Sequence, residues 1–220
     1  MSIIVFVLIT IAIVLLSVTL HEAMHAYASN WLGDDTALHS GRLTLNPIAH
    51  LDPFMSLLLP VGLAILGLPI FGGAKPVPFN PYRLKYGDWG PALVAIAGPL
   101  TNLVLAIISG VWLRFIDIPN DVMVIILQLF VQVNLGFFVF NMLPVPPLDG
   151  SRLLYAIGPE SLKRLMATIE RNGIMFIFLI VILFRSQISF VIVGVMAPLF
   201  LLITGSSLNE FFILLQQLVY

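Results

Sequence analysis

Long apolar runs separated by short polar links dominate the sequence. The first run, residues 3–20, has no charged residue, and three others cover residues 92–116, 122–143 and 188–203. Each is close to the roughly 20 residues with which a helix crosses a bilayer. The pattern predicts an all-α polytopic membrane protein with about five to six transmembrane helices, the first of them continuing to about Trp31.

Three stretches depart from this pattern. Residues 42–45, Arg-Leu-Thr-Leu, alternate polar and apolar side chains between Gly41 and Asn46-Pro47, which predicts a short strand, one arm of a small β-hairpin. Residues 151–172 are amphipathic and carry four basic residues. The apolar run at residues 174–184 is short for a full crossing.

Composition supports the membrane class and narrows the chemistry. Hydrophobic residues make up 60% of the 220-residue chain and charged residues 10%, against about 25% charged in soluble domains. The net charge of −1 and the lack of a basic run give no indication of nucleic-acid binding. Because the chain has no cysteine, any zinc must be bound by His, Asp or Glu.

A hydrolytic motif lies at the end of the first apolar run. His21, Glu22 and His25 form the pattern His-Glu-x-x-His, which on a helix places both imidazoles on one face, within reach of one metal ion. A single histidine in an apolar segment is usually a hydrogen-bonded core residue. Two histidines and a glutamate beside a lipid-length helix carry a desolvation cost that a bound metal would offset.

A third ligand must come from elsewhere in the chain, because catalytic zinc usually has three protein ligands and one open position. Asp149 is the best candidate, since it follows a proline-rich break after the run at residues 122–143. The alternative role for Asp149 is to cap a helix that begins at Gly150. The other aspartates lie in links where a solvated role is the default, and His39 and His50 are expected to be loop residues.

A shared metal ion would constrain the topology. If the two histidines and Asp149 lie at one depth, the runs at residues 3–20 and 122–143 end on the same side, so one intervening run fails to cross. The run at residues 54–71 has two prolines and two glycines inside it. We therefore expect it to be a re-entrant or interfacial segment packed within protein.

The charges agree with this topology. The basic residues Arg42, Lys75, Arg83, Lys85, Arg152, Lys163, Arg164 and Arg171 then fall on one side, and the link at residues 117–121, without Lys or Arg, falls on the other. The positive-inside rule places the active site near the cytoplasmic face of the cell membrane and the N-terminus outside. The charges alone do not decide the topology, because only Arg42 changes side if the run at residues 54–71 does cross the bilayer.

These residues resemble those of the site-2 protease family of intramembrane zinc metalloproteases (peptidase family M50). The resemblance covers residues 1–155, the expected catalytic membrane core, and leaves residues 156–220 as C-terminal membrane helices. Its motifs, in order, are His21-Glu22-x-x-His25, Gly41-Arg42-Leu43-Thr44-Leu45-Asn46-Pro47, Ala74-Lys75-Pro76-Val77-Pro78, Gly98-Pro99-x-x-Asn102, and Asn141-x-x-Pro144 leading to Leu148-Asp149-Gly150. Gly73 and Ser151 depart from the common pattern at positions that are not proposed ligands.

The resemblance implies a Zn²⁺ ion bound by His21, His25 and Asp149, with Glu22 as the catalytic residue. Asn102 and Asn141 are candidates to stabilise an oxyanion, with an interhelical hydrogen bond as the equal alternative for each. The family resemblance also implies that a membrane-associated β-structure at residues 42–45 holds an extended substrate. The chain looks like a minimal member, without a PDZ or CBS domain.

The implied function is hydrolysis of peptide bonds within or near transmembrane segments of membrane-anchored proteins, the reaction of regulated intramembrane proteolysis. The substrate and the oligomeric state stay open. A transporter or ion channel with an intramembrane metal site is the alternative, because broken apolar segments with ionisable groups also occur along transport paths. A proteolytically inactive scaffold is a second alternative, which the intact Glu22 opposes.

The topology can be tested with cysteines introduced singly at positions 35–50, because the chain has none of its own. We expect a membrane-impermeant thiol reagent to leave these cysteines unlabelled in intact cells and to label them once the cells are opened. Labelling in intact cells would place this polar segment outside and overturn the deduced topology.

Overall fold

The computed structural model describes residues 1–59, 62–63, 73–171 and 173–219. Ten α-helices lie within these residues: α1 Ile3–Trp31, α2 Thr36–His39, α3 Pro47–His50, α4 Trp89–Phe115, α5 Asp121–Asn141, α6 Gly150–Ile157, α7 Glu160–Arg171, α8 Gly173–Leu183, α9 Arg185–Thr204 and α10 Leu208–Val219. A π-helical segment, Pro53–Leu58, and a 3₁₀ turn, Pro81–Arg83, lie between α3 and α4.

Four helices of the described residues, α1, α4, α5 and α9, are long and apolar enough to cross a membrane. They support the prediction of an all-helical, multi-pass membrane protein, but the described residues hold four such helices where about five to six were expected. With 11 and 12 residues, α8 and α10 fall short of a full crossing. The amphipathic stretch at residues 151–172 contains two helices, α6 and α7, which Gly158 and Pro159 separate.

Helix α4 lies at the centre of the bundle and packs against α1, α5 and α9. Its buried positions are mostly small: Gly90, Ala92, Ala95, Gly98, Ala106 and Gly110. Small residues let helix backbones approach closely, which is how helices associate in lipid. At Gly110 the approach is so close that an added Cβ would overlap Ile203 of α9.

Residues 42–45 do not form the predicted strand, and no strand occurs anywhere in the described part of the chain. They form a loop around the buried side chain of Arg42, whose guanidinium donates hydrogen bonds to the carbonyl oxygens of Ala49 and Lys75. Leu43 packs against a small cluster that contains Val77. The alternation therefore reflects one buried cation and one packed leucine, and the strand prediction is wrong within the described residues.

The predicted re-entrant segment at residues 54–71 lies largely outside the described residues. Its start belongs to the π-helical segment, where the Asp52 carboxylate accepts hydrogen bonds from the backbone N–H groups of Phe54 and Met55. The prediction for the rest of the run stays untested.

Asp34 ties the end of α1 to the segment that leads into α4. Its fully buried carboxylate accepts hydrogen bonds from the Ser29 hydroxyl, from Thr36 and from the backbone N–H of Asn80. Burial alone would raise the pKa of Asp34, but these hydrogen bonds outweigh it and hold the pKa below its ordinary value. The ionised carboxylate therefore stabilises the folded chain.

We expect Asp34→Asn to destabilise the protein by about 1–3 kcal/mol, because the amide cannot accept all of these hydrogen bonds. Since the folded-state pKa is lowered, the stabilisation by Asp34 is complete above its unfolded pKa of about 4 and is lost as the pH falls through the folded value. Thermal unfolding in detergent at pH 7 and in acid checks both points. A difference between wild type and variant that does not shrink in acid would contradict the assignment.

Candidate metal centre

Helix α1 presents His21 and His25 one turn apart, and the chain returns 128 positions after His21 to bring Asp149 against them. The Nε2 atoms of the two histidines are 3.0 Å apart. The Asp149 Oδ2 atom lies 3.2 Å from Nε2 of His21 and 3.5 Å from Nε2 of His25. Among the described residues, these three form the only cluster of His, Asp or Glu side chains that could hold a metal ion.

The spacing of these atoms fits a tetrahedral zinc ion. Zinc lies about 2.0–2.2 Å from His nitrogen and carboxylate oxygen, so its ligand atoms are roughly 3.3 Å apart. The three distances between the ligand atoms, 3.0, 3.2 and 3.5 Å, bracket that value. A donor set of two imidazoles and one carboxylate also matches catalytic zinc sites, which keep a fourth position open.

The outer nitrogen of each histidine is held by a hydrogen-bond acceptor. Nδ1 of His21 lies 2.6 Å from Oδ1 of Asn102, and Nδ1 of His25 lies 2.8 Å from the backbone carbonyl oxygen of Val94. Because both partners are oxygens, we assign the proton to Nδ1 in each ring. Each Nε2 then directs its lone pair toward Asp149, the tautomer that metal binding requires.

Asn102 is itself fixed by a buried polar network. Its side-chain amide donates to Oδ1 of Asn134 at 2.8 Å and to the backbone oxygen of Ser17 at 3.3 Å. The amide of Asn134 in turn donates to the Ser17 hydroxyl at 2.9 Å. All three residues are fully buried, so the network joins α1, α4 and α5 and determines the orientation of His21.

Gly98 of α4 lies directly against the two imidazoles. A Cβ added at this position would be 2.5 Å from Nε2 of His25 and 2.7 Å from Nε2 of His21. Any side chain here would crowd these two nitrogens. Gly98 and Asn102 are four residues apart, so they lie on the same face of one helix. This spacing is a sequence signal from which their shared contact with α1 could have been predicted.

Asp149 reaches the histidines through the irregular segment that follows α5. Gly150 allows this path, because a Cβ there would overlap the backbone carbonyl groups of Met142 and Leu143. The Asp149 side chain makes no capping hydrogen bond to α6. The structure therefore supports Asp149 as a candidate metal ligand beside the histidines. It does not support the alternative role of Asp149 as a helix cap.

A cavity of about 670 Å³ opens onto the three clustered side chains. Glu22 and Asn141 line it, as do Pro76 and Pro147 from the two proline-rich segments. Asn102 lies outside the lining, on the far side of the His21 ring. Glu22 and Asn141 therefore line the same cavity as His21, His25 and Asp149, whereas Asn102 does not.

The two remaining histidines were expected in loops, but each is the last residue of a four-residue helix, His39 of α2 and His50 of α3. His39 is exposed and pairs with Asp35 at 3.1 Å. His50 is buried, and its Nε2 atom contacts the backbone oxygen of Thr44 at 2.8 Å. Neither belongs to the clustered group.

The depth of the cluster follows from helix geometry. His21 lies ten residues before the end of α1, and Gly98 lies nine residues after the start of α4. At about 1.5 Å per residue, these intervals are roughly 15 Å and 14 Å. The distances of the cluster from the ends of two helices therefore agree to within about 1 Å.

This arrangement defines a multi-pass membrane protein with a buried histidine–carboxylate group of metal-binding geometry. YwhC of Bacillus subtilis, a candidate zinc metalloprotease by name, is 39% identical over 176 residues, which cover 76% of this chain and 77% of YwhC. Rip2 of Mycolicibacterium smegmatis, named in the same way, is 33% identical over 76% of this chain and 64% of Rip2, less than two thirds of that relative. MJ0611 of Methanocaldococcus jannaschii, also so named, is 41% identical over 61 residues, 28% of this chain and 31% of MJ0611.

The chain belongs to the zinc metalloprotease family of these proteins. No protein-family model and no solved structure matches it.

We expect Gly98→Ala to abolish metal binding, because the added methyl group would crowd the two Nε2 atoms. Zinc stoichiometry of the purified protein, measured by elemental analysis, checks this. Gly136→Ala is the matched control, since a Cβ at Gly136 of α5 meets nothing within 4 Å. It should keep its zinc and gain up to about 1 kcal/mol of helix stability. Full zinc occupancy in a folded Gly98→Ala variant would contradict the site.

Proposed function

We propose that this protein is an intramembrane zinc metalloprotease of the site-2 protease type. It hydrolyses peptide bonds within or near transmembrane segments of membrane-anchored proteins. The observation that carries the proposal is the position of the candidate metal centre. His21, His25 and Asp149 share a cavity with Glu22, and His21 and the adjacent Gly98 lie about 14–15 Å from the ends of two helices that are apolar enough to cross a bilayer.

His21, His25 and Asp149 would hold the zinc ion through two Nε2 atoms and Oδ2. The ion would supply a Lewis acid that lowers the pKa of water and polarises a carbonyl group. The Nδ1 hydrogen bonds to Asn102 and Val94 keep the imidazoles in the metal-binding tautomer and orientation.

Glu22 is the proposed general base and acid. It follows His21 directly and lines the same cavity, so its carboxylate can accept a proton from water near the scissile carbonyl. It can then return this proton to the amine that leaves. In this way one carboxylate serves both halves of the hydrolysis.

The two candidate asparagines receive different roles. Asn102 contacts the outer nitrogen of His21 and is absent from the cavity wall, so we propose that it positions the ligand rather than touching substrate. Asn141 lines the cavity and donates one amide hydrogen to the Phe137 carbonyl oxygen at 3.0 Å. Its other amide hydrogen can serve a developing oxyanion.

The substrate needs an unwound backbone, because a helix hides its peptide bonds behind its own hydrogen bonds. Residues 42–45 do not line the cavity, whereas Pro76, Val77 and Phe79 do. We therefore propose that the substrate backbone lies along residues 76–79, a non-helical segment, in place of the expected strand. Arg152, Glu170 and Arg171 line the same cavity and give water a polar path to the metal centre.

The proposed location is the cell membrane, with the metal centre nearer the cytoplasmic face. The four membrane-length helices support a multi-pass chain. The sidedness rests on the distribution of basic residues between the polar links.

Glu22→Gln tests the function. We expect cleavage of a co-expressed membrane-anchored substrate to fall by at least about 10³-fold, because the amide cannot take up a proton. The variant should keep its zinc, whereas Asp149→Asn should lose both zinc and activity. Unchanged cleavage by Glu22→Gln would remove Glu22 from its role. A wild-type protein that binds zinc and moves ions, without cleaving any membrane-anchored protein, would favour the transporter alternative.

A further inference from the structure

A second cavity, which we call the α1 cavity, lies beside the first membrane helix and has a volume of about 450 Å³. None of its described lining residues carries a charge, and none of them lines the cavity of the candidate metal centre. Its wall includes Thr10, Val14 and Val18 of α1, Phe137 of α5, and Ser56 and Gly73 from the chain between α3 and α4.

The described wall of the α1 cavity is largely apolar, because its hydroxyl groups are already hydrogen-bonded. Thr10 donates to the backbone oxygen of Phe6 at 2.8 Å, and Ser56 donates to that of Gly73 at 2.7 Å. Ile11 also lines the cavity and is 50% exposed, so the cavity opens sideways to the surface that lipid would cover. Apolar contact with small residues such as Gly73 is how helices associate within lipid.

One face of α1 leads from the α1 cavity to the candidate metal centre. Val14, Val18, His21 and His25 follow one another at intervals of four, three and four residues, which is the spacing of one helix face. Val14 precedes His21 by seven residues, or about 10 Å along the helix. A polypeptide that packs along this face therefore runs from the α1 cavity directly to the two imidazoles.

The non-helical segment at residues 73–79 joins the same two cavities at a second place. Gly73 lies in the wall of the α1 cavity, whereas Pro76 and Phe79 lie in the wall of the metal-centre cavity. The start of this segment is held by the backbone hydrogen bond from Gly73 to the carbonyl oxygen of Met55, at 3.1 Å. The chain is thus extended where the occupant of the metal-centre cavity has to be unwound.

We propose that the α1 cavity docks the transmembrane helix of the protein that is cleaved, an inference that rests on the proposed function. Side chains from one face of this helix enter the cavity, and the chain then unwinds along residues 76–79 to present a peptide bond to the metal centre. Since the cavity residues Thr10 and Val14 precede His21 by 11 and seven positions, the docked side chains lie roughly seven to eleven helical residues from the scissile bond.

Disulfide crosslinking in bilayers tests the docking, because the chain has no cysteine of its own. The probe is a synthetic membrane-spanning peptide of leucine and alanine with one central cysteine. The protein carries Glu22→Gln, so that crosslinking is measured without hydrolysis, together with either Val14→Cys or Leu16→Cys. Leu16 is the matched control, because it is 49% exposed and lies outside the α1 cavity.

We expect the Val14→Cys protein to crosslink to the peptide at least about five times as fully as the Leu16→Cys protein, because residues two apart on a helix do not face the same partner. An excess of the same peptide with alanine in place of its cysteine should suppress the crosslink at position 14. Equal crosslinking at the two positions, or a crosslink at position 14 that the excess peptide does not suppress, would overturn the proposal.

A different occupant would also be visible in this experiment. Formation of a Val14→Cys protein dimer in preference to the peptide adduct would assign the α1 cavity to a second copy of the chain and overturn the proposal. A lipid chain that fills the cavity would leave position 14 without a preferential crosslink, with the same consequence.

Failure of the docking proposal and failure of the proposed function give different results. Equal crosslinking at positions 14 and 16, with cleavage that still depends on Glu22, would overturn the docking site alone. Unchanged cleavage by Glu22→Gln, with preferential crosslinking at position 14, would overturn the proposed function and leave a site that binds a membrane helix.

Discussion

The buried hydrogen bond between His21 and Asn102 is the interaction on which the rest of the site depends. A polar group at membrane depth must find partners within the protein, because lipid offers none. Asn102 satisfies this demand for His21, and Asn134 and Ser17 satisfy it for Asn102. The chain of contacts crosses three helices, so the packing of the bundle and the orientation of one imidazole are determined together.

This coupling explains the use of small residues along α4. The close approach of α1 to α4 is possible only because Gly98 presents no side chain to the imidazoles. Helix packing by small residues is ordinary in membranes, but here the same contact also leaves room for a metal ion. A stable bundle and an accessible site therefore require the same glycine.

Much of this arrangement could be predicted from the sequence, and the failures have physical reasons. The four-residue spacing of His21 and His25 and the proline-rich break before Asp149 predicted the cluster, because both are local features of the chain. The contact of Asn102 with the outer nitrogen of His21 depends on how two helices face each other, so the sequence left its role open. The alternation at residues 42–45 predicted a strand, but it arose from the burial of Arg42, a tertiary effect that local patterning does not contain.

The separation of the clustered side chains along the chain has a consequence for biosynthesis. The two histidines belong to the first membrane helix, whereas Asp149 follows the last of the three helices that join in the polar network. A ribosome must therefore add 128 residues after His21 before the third side chain can arrive. Until then the nascent chain holds only two of the three candidate metal ligands, so the candidate metal centre stays incomplete while the later helices are still being made.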